Sequence, residues 1–161
     1  MLTKNFYALM RIAFGKIKST IISDENTTKN VEFPSSNWYG VFPAMCKYKN
    51  ASSYQWVSFG NGTTPATVND YKLESEITTG ISVTSQDSPT TEQTDKYILW
   101  TATFGVKASV ETTISEIGLF SNVYTSSGNL ITLVDHTVLE TPVTIPAGQS
   151  KQITYTIRFN Y

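Results

Sequence analysis

The chain of 161 residues is long enough for one domain that buries about two-thirds of its unfolded surface. Charged residues make up only 16% of the chain and its formal net charge is −1, which argues against a nucleic-acid partner, since no dense basic face follows the first eighteen residues. Cys46 is the one cysteine, which excludes an intrachain disulfide, and no run of about 18 uncharged apolar residues is present to span a membrane.

The first element predicted is an amphipathic helix over residues 2–22. Its apolar side chains recur at three- and four-residue steps, at Leu2, Phe6, Leu9, Met10, Ala13, Ile17 and Ile21. The polar residues 23–30 indicate a tether. The sequence therefore predicts two parts, a helix and tether at 1–30 and a β-domain at 31–161.

The apolar stripe of this helix must be buried somewhere, and two interpretations stay open. The helix can pack on its own sheet, or it can dock on a neighbouring subunit in an assembly. We favour docking, because the predicted sheet already has enough large apolar residues to fill a core. The candidate assembly contacts are Phe6, Leu9, Met10 and Ile17.

A strand predicted at about 56–60 ends at a glycine pair, Gly60 and Gly62. We interpret these glycines as a turn that accepts positive φ. A phosphate-binding loop is a poorer interpretation, because the lysine and the long helix that such a loop needs do not follow.

Two features are predicted between this turn and the next long strand. Asn69 or Asp70 can cap a single helical turn whose Leu73 points into the core. The stretch at 82–95 is almost wholly polar and contains Pro89, so we expect an exposed loop or hairpin tip that contacts a neighbour or solvent.

Four more strands are predicted at about 97–107, 114–120, 130–139 and 152–160. Alternation of apolar and polar residues is strongest in the first and the last of these, and a period of two places the two sets on opposite faces. Several short strands separated by turn signals predict an all-β fold, an antiparallel β-sandwich of jelly-roll or immunoglobulin-like type.

Few residues offer chemistry, and each has a plainer structural interpretation. His136 is the one histidine and follows Asp135 within a strand, so the two side chains point to opposite faces, and we expect a surface or interface histidine. The carboxylates Asp70, Glu74 and Glu76 indicate a capped turn with a solvated acidic edge rather than the acid pair of a glycosidase. One histidine and one cysteine cannot build a nitrogen- or sulfur-rich metal site, and we expect no enzyme activity, no cofactor and no metal.

Three segments are informative when they are taken together and in order. They are Trp56–Pro65 leading to Asp70–Glu74, then Ile114–Phe120, then Leu133–Val138 with Pro142–Ser150 and the final strand. Together they resemble a group of small virion proteins of tailed bacteriophages, whose starts the opening Met1–Tyr7 also resembles. The resemblance covers nearly the whole chain. Residues 38–54 and 84–95 do not share it and look particular to this chain.

The resemblance implies a structural role in a virion, as a subunit repeated around the neck, the tail or the fibre attachment. The expected partners are other virion proteins and further copies of the chain in a symmetric ring, with no nucleic acid and no membrane span. The start of the chain lacks a secretory signal, so we expect synthesis in the cytoplasm of the bacterial host before entry into the virion. Two alternatives stay open: a capsid decoration or head-fibre protein, or a receptor- or glycan-binding module that exposes Trp38, Tyr39, Tyr48, Tyr54 or Trp56.

Overall fold

The protein is built mainly of antiparallel β-strands with one short helix, which confirms the predicted all-β class. The computed structural model describes residues 1–8, 19–23, 25–31, 57–87, 90–125 and 128–160. Within them the strands are β1 Ser19–Ile22, β2 Thr28–Val31, β3 Val57–Gly60, β4 Ile81–Gln86, β5 Thr90–Gln93, β6 Tyr97–Ala108, β7 Thr112–Thr125, β8 Gly128–Ile145 and β9 Ser150–Asn160. The sandwich arrangement of the sheets stays a prediction.

The chain divides into two compact units. The first consists of Met1–Ile77 and Ile114–Val143, and the second of Thr78–Thr113 and Thr144–Tyr161. The predicted division into a helix with tether at 1–30 and a β-domain at 31–161 stays a prediction.

The first unit contains a three-stranded sheet in the order β3-β7-β8, and a separate pair formed by β1 and β2. β3 pairs antiparallel with β7, so that Val57 lies opposite Leu119 and Gly60 lies opposite Glu116. Every residue of β3 is buried, as expected for a short strand with apolar residues on one face and small ones on the other. The buried apolar residues of this unit include Val57, Phe59, Leu73, Ile117, Leu119, Phe120, Leu130, Leu133 and Val134.

In the second unit β6 is the central strand of the sheet. β9 pairs with one edge of β6 over a continuous register, and β4 and β5 pair in succession with the other edge. One face carries the buried apolar residues of β6 and β9. The other face carries two cross-strand threonine pairs, Thr101 with Thr156 at 3.2 Å and Thr103 with Thr154 at 3.3 Å between hydroxyl oxygens.

The strands predicted from alternation lie close to their expected positions. β3, β6 and β9 begin and end within two residues of the prediction, and β7 and β8 extend beyond it at both ends. The polar stretch 82–95, expected as an exposed loop or hairpin tip, instead contains most of β4 and all of β5, which pair in succession with one edge of β6 and not with each other. Every side chain of β5 is exposed, as expected for this stretch.

The predicted helix over residues 2–22 is wrong at its C-terminal end. Residues 4–8 are helical, but Ser19–Ile22 form β1 and pair with β2, which occupies part of the expected tether. β-branched threonine and isoleucine favour a strand at this point over a helix. No helix with the length and the apolar surface of a membrane span occurs in the described part of the chain.

The start of the helix packs within its own unit. Phe6 is only 4% exposed and Ala8 only 8%. Phe6 is therefore buried within this chain, and its role as an assembly contact stays a prediction. The other candidate contacts, Leu9, Met10 and Ile17, lie outside the described residues, and their role stays a prediction.

Candidate functional site

A buried glutamate lies at the centre of the first unit. Glu116 belongs to β7 and is 0% exposed. The register of β3 with β7 places it opposite Gly60. A carboxylate that is removed from water needs hydrogen-bond donors around it, because an unpaired buried charge is costly.

The backbone of the 61–76 loop, which follows β3, supplies most of these donors. The N–H of Gly62 donates to Glu116 Oε1 at 3.1 Å and the N–H of Ser75 to the same oxygen at 2.7 Å. The N–H of Glu74 donates to Oε2 at 3.0 Å. One side chain of β7 thus holds both ends of the loop.

His136 of β8 completes the surroundings of Glu116. Its Nε2 lies 2.9 Å from Glu116 Oε2, and its Nδ1 lies 2.6 Å from Asp70 Oδ2. The side chain of His136 is 4% exposed and that of Asp70 is 23% exposed, so these contacts connect the core to the surface. Both ring nitrogens are hydrogen bonded to carboxylates, so neither nitrogen is free to activate a hydroxyl or thiol nucleophile.

Asp70 and Glu74 in turn hold the backbone of their own loop. Thr67 donates its N–H to Asp70 Oδ2 at 2.8 Å and its hydroxyl to Oδ1 at 2.7 Å. The N–H groups of Thr63 and Thr64 both donate to Glu74 Oε2 at 2.8 Å. We refer to the four side chains Glu116, His136, Asp70 and Glu74 as the carboxylate–histidine cluster.

The hydrogen bonds favour the ionised form of the two loop carboxylates. Burial raises the pKa of Asp70, but the bonds from Thr67 and His136 together outweigh it, so the pKa lies below its usual 3.8. The hydroxyl of Thr64, followed by its N–H, holds the pKa of Glu74 below the usual value. Both groups are therefore more stable as carboxylates in the folded loop than in an unfolded chain.

The glycine pair leaves room for Glu116. A Cβ on Gly60 would lie 2.2 Å from Glu116 Oε1 and 2.6 Å from the carbonyl oxygen of Ser75, and a Cβ on Gly62 would lie 2.7 Å from the same carboxylate oxygen. Neither glycine has a positive φ. The expected positive-φ turn is therefore wrong, and the physical reason for these glycines is the close approach of a buried carboxylate.

The first residues of the chain lie beside the cluster. The Met1 amine donates to the carbonyl oxygen of His136, whose N–H donates to Met1 O at 3.0 Å. The same amine lies 3.2 Å from Asp135 Oδ1 and forms an ion pair with it. The N–H of Lys4 donates to Val68 O at 2.8 Å. The N-terminal segment is thus bonded to β8 and to the 61–76 loop.

An open pocket of about 240 Å³ lies next to the cluster, lined by residues of the 61–76 loop and by His136. The acidic groups on its wall, Asp70 and Glu74, are the ones already hydrogen bonded to the loop. Within the described ranges, no three histidine, cysteine or acidic side chains are arranged to hold a metal ion.

Several sequence expectations for this region need correction. His136 is not a surface histidine, since it is 3% exposed and bonded on both nitrogens. Glu74 is exposed, as expected for a solvated acidic edge, whereas Asp70 is only 23% exposed, and residues 67–74 contain no helical turn for Asp70 to cap. Leu73 is 2% exposed, which confirms that it points into the core.

Sequence reasoning missed Glu116, the residue on which the cluster depends. A signal for it existed, because an acid lies among apolar residues in the strand segment Ile114–Phe120, and a strand buried on both faces leaves an acid no route to water. The donors were harder to find, because Gly62 and Ser75 lie 54 and 41 residues away in the chain. The aromatic residues 38–54 and Cys46 lie outside the described residues.

Comparison with known proteins gave no match, since no family model, no curated protein and no solved structure is similar to the chain. The cluster is therefore interpreted from the chemistry of its own residues.

Proposed function

We propose that the protein is a structural component of a tailed-bacteriophage virion, repeated as a subunit around the neck, the tail or the fibre attachment. This proposal rests on one observation: the three sequence segments that carry the phage resemblance all supply residues to the carboxylate–histidine cluster or its surroundings. The first segment supplies Gly62, Asp70 and Glu74, the second supplies Glu116, and the third supplies His136. These residues of the three resembling segments hold the 61–76 loop on its sheet.

The chemistry of the cluster supports a structural role without catalysis, cofactor or metal. Glu116 is fully buried, and its oxygens accept from the loop backbone and from His136. A catalytic acid or base needs a free position facing substrate. In this cluster the strongest polar groups are directed at one another, which fixes a surface loop and suits a rigid repeated subunit.

The second unit supports a role in protein–protein contact. Its exposed sheet face carries the two threonine pairs of β6 and β9, and the sheet edge formed by β4 and β5 is mostly exposed. The threonine hydroxyl groups are uncharged, so this part of the face can pack against a second copy in a symmetric ring without like-charge repulsion. The partners we propose are other copies of the chain and other virion proteins.

The test is the composition and labelling of purified particles from the phage that encodes the chain. We expect quantitative mass spectrometry to find the protein in a fixed, repeated copy number, and gold-labelled antibody to bind at the neck, tail or fibre base. Particles from a phage that lacks the gene are the control and should lose the label until the gene is supplied again.

Absence of the protein from washed particles would contradict the proposal. Label spread over the capsid would instead indicate a decoration or head-fibre protein. Label at fibre tips, together with binding to host glycans, would indicate a receptor-binding module.

A further inference from the structure

His136 contacts two carboxylates at once, and this limits its protonation state. Its ring lies 2.6 Å from Asp70 Oδ2 through Nδ1 and 2.9 Å from Glu116 Oε2 through Nε2. A neutral imidazole has one N–H and one bare lone pair. It would satisfy one of these contacts and direct a lone pair at a carboxylate in the other.

Both carboxylates are already committed as acceptors. Glu116 accepts N–H groups from Gly62, Glu74 and Ser75, and Asp70 accepts from Thr67. Donors of this kind stabilise the ionised form of a carboxylate. Because both carboxylates accept hydrogen bonds from several other donors, the geometry fits a ring that donates from both nitrogens.

We propose that His136 is a buried imidazolium cation whose proton holds the 61–76 loop closed on the sheet. Glu116 is fixed within β7, whereas Asp70 belongs to the loop. When the ring loses its proton, a lone pair faces a carboxylate in a poorly solvated site, and movement of the loop relieves this repulsion. The structure thereby contains a pH-sensitive closure.

Charged groups of both signs lie around the ring. Glu74 interacts electrostatically with His136 from the loop, so three carboxylates surround the cation. Lys72 lines the same pocket from the loop. On β8 itself the neighbouring Asp135 is paired with the Met1 amine, which also donates to the carbonyl oxygen of His136.

Opening of the loop affects the N-terminal segment as well. Val68 belongs to the loop, and its carbonyl oxygen accepts the N–H of Lys4 at 2.8 Å. Release of the loop therefore removes one of the bonds that hold the start of the helix. Alkaline conditions should loosen the loop and this contact together.

The expected size of the effect follows from proton linkage. In the proposed closed form the ring donates from both nitrogens, and opening releases one proton. An equilibrium that releases one proton shifts about tenfold towards the open loop with each pH unit.

The first experiment is a direct measurement of the ring. His136 is the one histidine of the sequence, so labelling with ¹⁵N-histidine gives a single pair of ring-nitrogen resonances. At pH 7 we expect both nitrogens to have the chemical shifts of a protonated ring. One protonated and one bare nitrogen at pH 7 would overturn the proposal.

The second experiment is hydrogen exchange of the loop amides between pH 6 and pH 9, corrected for intrinsic exchange. The amides of Gly62, Glu74 and Ser75 should lose protection about tenfold per pH unit as the ring titrates. Amides of β6 and β9 serve as the internal reference and should not follow this change. Loop protection that does not depend on pH would overturn the proposal.

Two variants separate the ring from other titrating groups. His136→Gln has no titrating ring, so its loop amides should lose the pH response. Glu76→Gln removes a loop carboxylate that accepts a hydrogen bond from Ser58, and the loop amides of this variant should keep the pH response. If His136→Gln does not fold, the ring-nitrogen chemical shifts and the hydrogen exchange of the unchanged protein still support or overturn the proposal.

Discussion

At the scale of single residues, the fold depends on a carboxylate that needs space as well as partners. Glu116 occupies volume that a side chain at its cross-strand position would require, and Gly60 provides that volume. The pairing of a buried acid with a glycine on the neighbouring strand is therefore one structural feature, although the two residues lie far apart in the chain. Loss of either one should damage the same loop.

We predict that Gly60→Ala destabilises the protein by about 1–3 kcal/mol, because the new Cβ must displace Glu116 and the backbone at Ser75. Urea unfolding monitored by tryptophan fluorescence measures the loss. Gly148→Asn is the comparison for the cost of backbone conformation alone, since Gly148 has open space around it and a φ of 76°. A loss for Gly60→Ala well below about 1 kcal/mol would show that Glu116 adjusts without cost.

A second residue-scale prediction concerns acid stability. The folded-state pKa values of Asp70 and Glu74 lie below their usual values, so the stability they contribute is complete above the unfolded pKa and is lost as the pH falls through the folded one. For Asp70 the loss should begin near its usual pKa of 3.8 and continue below it. Asp70→Asn should flatten this part of the curve of unfolding free energy against pH.

The control for this prediction is Glu92→Gln, which changes an exposed carboxylate of β5. It should leave the acid dependence unchanged. If Asp70→Asn and the unchanged protein lose stability in parallel on acidification, the bonds from Thr67 and His136 do not stabilise the Asp70 carboxylate.

At the scale of elements, strands with strong alternation were predictable and strands without it were not. β6 and β9 alternate apolar and polar residues along most of their length, and they were found within two residues of their ends. β4 and β5 are polar, and it is their pairing with β6 that makes them strands. A local pattern cannot report a partner that lies elsewhere in the chain.

The N-terminal region shows a competition between local pattern and long-range bonding. The helical period of the apolar residues continues formally to Ile21, yet Ser19–Ile22 form a strand. The side-chain amide of Asn5 bonds both backbone groups of Ile22, with distances of 2.8 and 2.9 Å. Thr132 adds a hydroxyl bond to the same carbonyl oxygen at 2.8 Å. These bonds hold an extended backbone that the helical period did not predict.

We predict that Phe6→Ala costs about 3–5 kcal/mol of folding free energy, because its ring is 4% exposed. Tyr7→Ala is the matched control on the next residue, where the ring is 55% exposed and packs edge-on against Phe6 at 5.6 Å. Its cost should be at most about 1 kcal/mol. Thermal and urea unfolding of both variants measure the difference.

The same pair of variants tests the docking interpretation of the helix. A core role for Phe6 predicts a loss of stability in the isolated chain. If Phe6→Ala instead keeps its unfolding midpoint but no longer enters particles, Phe6 is an assembly contact after all.

At the scale of the whole molecule, the two units differ in how they use polar residues. The first unit directs Glu116 and His136 inward, where they fix the 61–76 loop. The second places threonines on an exposed sheet face and the polar strand β5 at the edge of the sheet. In the proposed virion subunit the first unit provides a fixed framework, and the second provides surface for neighbours.

We therefore predict that the sheet edge formed by β4 and β5 contacts a neighbouring subunit in the assembled particle. Every side chain of β5 is exposed, so few buried contacts resist local opening of this edge in the free chain.

A non-specific protease, with fragments mapped by mass spectrometry, should cut within 82–95 before it cuts within β6 or β9. In particles the same bonds should be cut much more slowly. The turn at Val110, which is 58% exposed, is the internal reference for general access of the protease. Equal cutting rates at 82–95 in the free chain and in particles would show that this edge faces solvent in both states and takes no part in assembly.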